Sequence, residues 1–280
     1  MSAHTIFYIT FALQIAVLSI YFPQRILSRM RRILDAHPPQ EFPKLYPLSE
    51  DTYQKSQRRF EVINVLVVIL GITVIFWLEF FAKGDLTRIL DEISVVFFLL
   101  QLVPMAFLEL SEKSNYKLMR AINTTKKKFA ALTPRKFTDF ASASLFVAAL
   151  AMIILSIIVD FALNTATDWS EGPMQRSLVI VITNGLLFIL MYCNVFSRKL
   201  NPHQDEQDRI AHITLTVKTL LYISIGMSVF MMIKQITKQD GLDFIQPALT
   251  SLYCLAIGIM CIGGRVSSFD FENENFEVYR

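Results

Sequence analysis

The stretch Phe140–Leu163, FASASLFVAALAMIILSIIVDFAL, fixes the class of fold to expect. It carries one ionisable side chain, Asp160, in 24 residues, and it lacks the strict apolar–polar alternation of a half-buried strand. A helix of about 20 residues crosses the ~30 Å hydrocarbon layer of a bilayer. Only helices and closed barrels satisfy their own backbone hydrogen bonds there. The stretch therefore predicts a transmembrane helix.

Six more apolar runs flank this stretch. The seven runs are Ile6–Phe22, Val62–Ala82, Ile93–Leu110, Phe140–Leu163, Ser177–Phe196, Leu215–Ile236 and Phe244–Ile262. Charged residues make up 18% of the 280, against about 25% in soluble domains. This excludes a soluble enzyme, a nucleic-acid-binding module and a disulfide-stapled secreted domain. We predict an all-α, polytopic seven-helix membrane bundle over residues 1–268, with one lead helix and three helical hairpins, and a tail at 269–280.

Lys and Arg are unevenly distributed between alternate loops. Of the 27, 22 follow the first, third, fifth and seventh runs, and five lie on the other side. Because cytoplasmic loops are enriched in these residues, the N-terminus is predicted outside and the C-terminus in the cytoplasm. No Lys or Arg precedes the first run, so we interpret it as a retained helix and not as a signal peptide. We expect an integral protein of a bacterial inner membrane.

Helix-capping residues lie several positions before each even-numbered run. The predicted N-caps are Ser49, Thr133 and Asn201, followed at the first helical position by Glu50, Pro134 and Pro202. This spacing predicts that the second, fourth and sixth membrane helices begin as amphipathic segments in the cytoplasm.

Four polar side chains inside the apolar runs are candidate pathway or binding residues: Glu79, Gln101, Asp160 and Asn184. Intramembrane acids often mark a transport or proton pathway because they are costly to bury. Both acids lie near the predicted outer ends of their runs, which favours boundary residues over a proton relay. Buried amides commonly bridge helices, which favours structural contacts over ligand contacts at the other two.

The segment 203–212 combines two His with Asp205 and Asp208. Asp205, Asp208 and His212 would share one helix face and could hold a divalent cation. Acidic residues in the first turns of a helix also complement the helix dipole, which explains them without a metal. We therefore predict no metal and no cofactor. The three cysteines lie in apolar runs without ligand spacing and are interpreted as packing residues.

The C-terminal tail alternates acidic and aromatic residues. Its candidate partner-binding residues are Phe271, Glu274, Phe276 and Tyr279. Docking could be on the chain's own basic loops, at Lys126–Lys128 and Arg29–Arg32, or on a basic groove of a partner. The same basic loops would also attract anionic lipid.

The sequence holds no phosphate-binding loop and no recognised hydrolase or metalloprotease motif, so we expect no enzymatic chemistry. The leading hypothesis is a structural or accessory subunit of a membrane protein assembly; the alternative is a small-solute or ion transporter or channel. Expected partners are the lipid bilayer and other membrane subunits or further copies of the chain, with no nucleic acid. A small-residue stripe at Ala141, Ser144, Ala148 and Ala151 predicts a close helix–helix contact.

Overall fold

The computed structural model describes residues 3–81, 87–122, 135–163, 172–197, 201–264 and 275–280. Within these ranges every regular element is helical and no strand occurs. Among the described residues, seven helices are long and apolar enough to cross a membrane, which suggests an integral membrane protein. The prediction of an all-α chain with seven apolar helices is confirmed.

The first span is one helical rod made of three pieces. These are α1 (Ala3–Ile15), a π-helical segment (Ala16–Tyr21) and α2 (Phe22–Ala36). The other spans are α3 (Glu50–Phe81), α4 (Thr87–Ile122), α5 (Ala143–Leu163), α6 (Pro173–Phe196), α7 (Glu206–Gln239) and α8 (Gln246–Gly258), which continues into a π-helical segment (Ile259–Gly263). Short 3₁₀ turns occupy Phe137–Asp139, Asp243–Ile245 and Phe276–Tyr279.

The first helical residue can be compared with the prediction for two of the three cytoplasmic helix starts, those of α3 and α7. One of these two predictions is correct. Helix α3 begins at Glu50, as the sequence predicts. Helix α7 begins at Glu206 and not at Pro202. The amide oxygen of Asn201 accepts the backbone N–H of His203 at 3.0 Å, which forms a local turn in place of a helix cap.

Helix α5 also begins later than predicted. Thr133 and Pro134 lie outside the described residues, but Arg135–Ser142 is a 3₁₀ turn with flanking loop, and the helix begins at Ala143. The amphipathic helical extension predicted for this span is therefore wrong across 135–142. The Asp139 carboxylate accepts the backbone N–H of Lys136 at 2.8 Å, which closes the turn before the helix can start.

The chain divides into two compact units. The first unit contains Met1–Lys128, Lys199–Asp208 and Pro247–Arg280, and the second contains Phe129–Arg198 and Arg209–Gln246. Two predicted hairpins, α3–α4 and α5–α6, each pack inside one unit. The third does not share this arrangement, because α8 belongs to the first unit and α7 beyond Asp208 belongs to the second.

Glycine allows close packing in the core of the first unit. A Cβ atom added at Gly258 would lie 2.5 Å from Leu18 Cδ2, so α8 approaches the π-helical segment of the first span only because this side chain is absent. Leu18 itself is 1% exposed. In the second unit the core packs Met191 and Val195 of α6 against Val217 and Leu221 of α7.

Candidate functional site

Gln101 lies in a buried hydrogen-bond network of the first unit. The Gln14 side-chain amide donates to Gln101 Oε1 at 2.9 Å, and Gln101 Nε2 donates to Ser19 Oγ at 2.9 Å and to the Gln14 carbonyl at 3.4 Å. Ser251 Oγ donates to Gln14 Oε1 at 2.9 Å. All four residues are at most 4% exposed. The network joins the first span, α4 and α8.

The geometry of this network suits a structural role. Both amide side chains use their donor and acceptor groups within the chain, and Phe11 and Phe97 pack nearby with ring centroids 5.0 Å apart. A buried polar group is tolerated in an apolar interior when it is hydrogen-bonded. The π-helical segment Ala16–Tyr21 includes Ser19, and such segments often occur where a helix accommodates a special contact. Gln101 is thus a bridge between helices, with its polar atoms already engaged.

Asn184 has different surroundings in the second unit. Its Nδ2 donates to the Ile180 carbonyl at 2.9 Å, and its Oδ1 accepts a short hydrogen bond from Ser224 of α7. Both side chains border a cavity of about 280 Å³ between α5, α6 and α7, whose other walls are apolar and include Leu150, Phe188 and Met191.

The chemistry of this cavity limits what it can hold. The cavity opens at the surface of the chain, where Leu150 and Phe188 are 60% and 52% exposed. A bound water needs about two to four polar partners, and this wall offers few of them. Asn184 and Ser224 supply the polar groups of the lining, and they already bond to each other. The volume lies near the lower end of the ~300–1,000 Å³ of small-molecule pockets. The cavity therefore suits a small apolar molecule with one hydrogen-bonding group better than a hydrated ion.

Asp160 forms an ion pair near the ends of α5 and α6. Arg176 Nε donates to Asp160 Oδ1 at 3.0 Å and to Oδ2 at 3.3 Å. The side chains are 3% exposed for Asp160 and 20% for Arg176. The sequence places Asp160 where headgroup water would reach it, whereas the structure buries it and supplies a guanidinium. The pair joins the two helices of this hairpin.

Glu79 is exposed on α3, in contrast to Asp160. Its carboxylate interacts with the Tyr8 hydroxyl of α1. Each of the four pathway candidates thus has a partner of its own: Tyr8 for Glu79, Gln14 for Gln101, Arg176 for Asp160 and Ser224 for Asn184.

The end of the tail packs on the connector between α2 and α3. Phe276 and Tyr279 are 9% and 8% exposed and form a cluster with Phe42. The His37 ring stacks on Phe276 with centroids 4.1 Å apart. The Lys44 backbone N–H donates to the Tyr279 carbonyl at 3.3 Å. Residues 275–280 therefore dock within the chain, on residues 37–45.

The tail also contacts Asn201, which precedes α7, and Asp208 in the first turn of that helix. Asn201 Nδ2 donates to the Tyr279 hydroxyl at 2.6 Å, and the Asn275 backbone N–H donates to Asp208 at 3.4 Å. The Asp205 carboxylate accepts the backbone N–H of Glu206 at 2.7 Å, at the start of α7. Of the tail's predicted docking residues, Phe271 and Glu274 lie outside the described residues, as do Lys126–Lys128.

The connector itself is packed through its aromatic residues. The rings of Tyr46 and Tyr53 meet edge to face with centroids 5.3 Å apart. Burial, together with the neighbouring Tyr53, raises the pKa of Tyr46 to about 12, so this phenol stays uncharged at neutral pH.

Across the described ranges, no group of three His, Cys, Asp or Glu side chains is placed to hold a metal ion. The prediction that no metal binds stays a prediction.

The small-residue stripe divides between a buried and an exposed part. Ala141 is 5% exposed and packs in the core of the second unit. Ser144, Ala148 and Ala151 are exposed. They share one face of α5, whereas Ala149, Ser156 and Asp160 form its buried face. The close helix–helix contact predicted here is absent at these three exposed positions within the described chain.

No protein family, curated protein or solved structure gives a significant match to this chain. The sequence predicts Gln101 and Asn184 as deep polar groups, but it does not pair them with Ser19, Ser251 or Ser224. Serine is too common in apolar helices to be selected without its neighbours in space.

Proposed function

We propose that this chain is an integral protein of a bacterial inner membrane, with its N-terminus outside, and that it serves as a structural or accessory subunit of a membrane protein assembly. The uneven distribution of Lys and Arg supports the orientation. The exposed small-residue face of α5, formed by Ser144, Ala148 and Ala151, carries the assembly proposal.

The chemistry of this face favours protein over lipid as its neighbour. Lipid tails are as apolar as leucine, so helices in a membrane associate through close packing of small residues and through hydrogen bonds. Ser144, Ala148 and Ala151 follow the i, i+4, i+7 spacing of one face, which lets another backbone approach closely. A face of this kind turned outward suits a helix from another subunit or from a second copy of the chain.

The small buried share of α5 and α6 supports the same proposal. Only 17% of the apolar window of each is buried within the chain, against 44% for Asp243–Gly263. The chain thus covers little of α5 and α6, while the last span is well enclosed. Association with a partner would cover surface that the isolated chain leaves open.

The state of the buried polar groups argues against a hydrophilic pathway. Gln101 is fully engaged with Gln14 and Ser19, and Asp160 is engaged with Arg176. Ion and proton pathways need polar groups that face a wet cavity or one another. The polar groups described here hold helices together instead.

The experiment compares assembly size after bulky substitutions on the face. We expect the wild-type chain, extracted from native membranes in mild detergent, to migrate as a complex larger than one subunit. Ala148→Phe combined with Ala151→Phe should shift it to the mass of the free chain, because the added rings keep the partner's backbone away. Blue native electrophoresis measures both states.

The matched control is Val181→Phe on α6. Val181 is also exposed, at 53%, but it lies outside the small-residue face. This variant should keep the complex, and thermal unfolding of all variants in detergent should give similar midpoints. A wild-type chain that migrates alone, or a double variant that keeps the full complex, would refute the assembly proposal.

A second candidate function is the transport of a small apolar solute, and the cavity beside Asn184 favours it. The cavity lies half-way along α6 and has an amide and a hydroxyl at its wall. Its apolar lining fits an apolar solute and not an ion. Of the small-solute or ion transporter alternative, this favours only the transport of an apolar solute.

A further inference from the structure

A groove between α3 and α4 combines positive charge with apolar walls. Lys55, Arg58 and Arg59 line one part, and Val62, Ile63 and Phe107 line the rest of a cavity of about 400 Å³. Positions 55, 58, 59 and 62 share one face of α3, since they follow the i, i+3, i+4, i+7 spacing. The groove therefore changes from cationic to apolar within about one helical turn.

Two of the three cations keep their charge free for a ligand. Lys55 Nζ lies 2.6 Å from the Asp51 carboxylate, which offsets its charge. The nearby acid Glu61 pairs with Arg31 at 3.9 Å. Within the described ranges, Arg58 and Arg59 form no ion pair and no hydrogen bond. The groove thus presents two guanidinium groups above an apolar floor.

We propose that this groove binds an anionic glycerophospholipid. The phosphate pairs with Arg58 and Arg59, and one acyl chain lies against Val62, Ile63 and Phe107. Guanidinium groups form charge-assisted, often paired hydrogen bonds to phosphate oxygens. The acyl chain covers the apolar floor of the groove. The arginines of the groove are distinct in sequence from the basic segments Arg29–Arg32 and Lys126–Lys128.

The orientation of the chain agrees with this ligand. Arg58 and Arg59 precede Val62, the first residue of an apolar run that begins on the predicted cytoplasmic side. The cytoplasmic leaflet carries anionic lipids, which attract each nearby Lys or Arg. The lipid site rests on the membrane insertion proposed above, but it is independent of the assembly face on α5.

The experiment measures lipid adducts on the purified full-length chain by native mass spectrometry. Phosphatidylglycerol is titrated against wild type, with phosphatidylcholine as the neutral-headgroup control. Arg58→Gln combined with Arg59→Gln should weaken phosphatidylglycerol binding about 30-fold, because each charge near an anionic surface contributes about a 5-fold gain. Lys113→Gln combined with Lys117→Gln on α4 removes two exposed cations outside the groove and should leave binding unchanged.

A second variant tests the acyl-chain part of the groove. Val62→Trp keeps both arginines but fills the apolar floor, so it should also weaken phosphatidylglycerol binding. Glycerol phosphate carries a phosphate monoester on glycerol without acyl chains, and we expect no saturable binding of it. Ala148→Phe with Ala151→Phe should bind lipid as wild type does, which separates this site from the assembly proposal.

Three results would overturn the lipid site. The first is equal loss of binding in the Lys113/Lys117 control. The second is phosphatidylcholine bound as tightly as phosphatidylglycerol. The third is glycerol phosphate bound as tightly as the lipid with no effect of Val62→Trp, which would indicate a free-phosphate site. A variant whose thermal midpoint equals that of wild type is folded. The arginine variant and the Val62 variant each test phosphatidylglycerol binding, so the site can be tested even if one of them does not fold.

Discussion

An amide and a serine hydroxyl meet inside both units, but the space around them differs. In the first unit Gln101 bonds to Ser19 and Gln14, and aromatic and aliphatic side chains pack around them. In the second unit Asn184 bonds to Ser224 beside a cavity of about 280 Å³. The residue types are alike, so the type alone does not distinguish a structural bridge from a candidate binding position.

The difference shows which feature carries functional information. A deep polar side chain whose hydrogen bonds are complete within the chain has no capacity left for a ligand. A polar side chain beside unfilled space retains room for one. The volume next to the amide therefore separates the two cases. Burial separates the two acids, because Asp160 is buried against Arg176 and Glu79 is exposed.

The largest expected effect is at Asp160. Asp160→Asn leaves Arg176 without its carboxylate in a largely buried position. Removing one member of a buried ion pair costs about 3–5 kcal/mol, and partial exposure of Arg176 places this case near 3 kcal/mol. Denaturation of the purified chain by SDS titration measures the loss.

Glu79→Gln is the matched control for this prediction. Glu79 is exposed, so its amide variant should change the free energy of unfolding by less than about 0.5 kcal/mol. The sequence alone predicts that both amide variants are tolerated, because it places both acids at the membrane boundary. Equal stability of the two variants would restore that interpretation and remove the structural role of the ion pair.

The second prediction compares the two amides directly. Gln101→Leu removes three hydrogen bonds in a closed site, and Asn184→Leu removes one bond between helices. At about 0.6 kcal/mol for each bond in a membrane interior, the losses are about 2 and about 0.6 kcal/mol. Parallel SDS titrations give the ratio. If Asn184→Leu proves the more damaging change, the cavity-lining amide is the structural one and the comparison is reversed.

The sequence predicts the spans because one strong physical signal specifies them. A run of about 20 apolar residues has few stable alternatives to a membrane helix, and each of the seven runs overlaps a described helix that is long and apolar enough to span a membrane. Helix starts were less predictable. At Asn201 the expected cap is replaced by a turn, because the side-chain oxygen accepts the backbone N–H of His203. The side-chain N–H donates to Tyr279, 78 positions away in the chain.

Pairings between distant side chains could not be predicted for the same reason. Gln14 and Gln101 are 87 positions apart, and Ser251 is 237 positions from Gln14. Periodicity places each on a helix but does not give the register between helices. Gly258 contains such register information, since only its missing Cβ admits Leu18. Glycine is nevertheless frequent in membrane helices, so its presence in an apolar run does not by itself indicate a close contact.

The last prediction concerns another amide–hydroxyl contact, at the end of the tail. Asn201 Nδ2 donates to the Tyr279 hydroxyl at 2.6 Å, and both residues are at most 8% exposed. Tyr279→Phe keeps the ring in its cluster with Phe42 and Phe276 but removes the oxygen, so a buried N–H loses its acceptor. The expected cost is about 1 kcal/mol.

This cost should appear locally rather than in global unfolding, because the last residues open more easily than the membrane helices. Hydrogen exchange followed by mass spectrometry should show about a five-fold loss of protection in peptides that cover 38–45 and 201–203, with no change in α1 or α4. Tyr192→Phe on α6, at an exposed position, is the matched control and should leave both peptides unchanged. Unchanged protection in Tyr279→Phe would mean that ring packing alone docks the tail. In that case an amide–hydroxyl contact that is closed within the chain stabilises the structure only inside the apolar core. The contact of Gln101 would then contribute to stability and that of Asn201 would not.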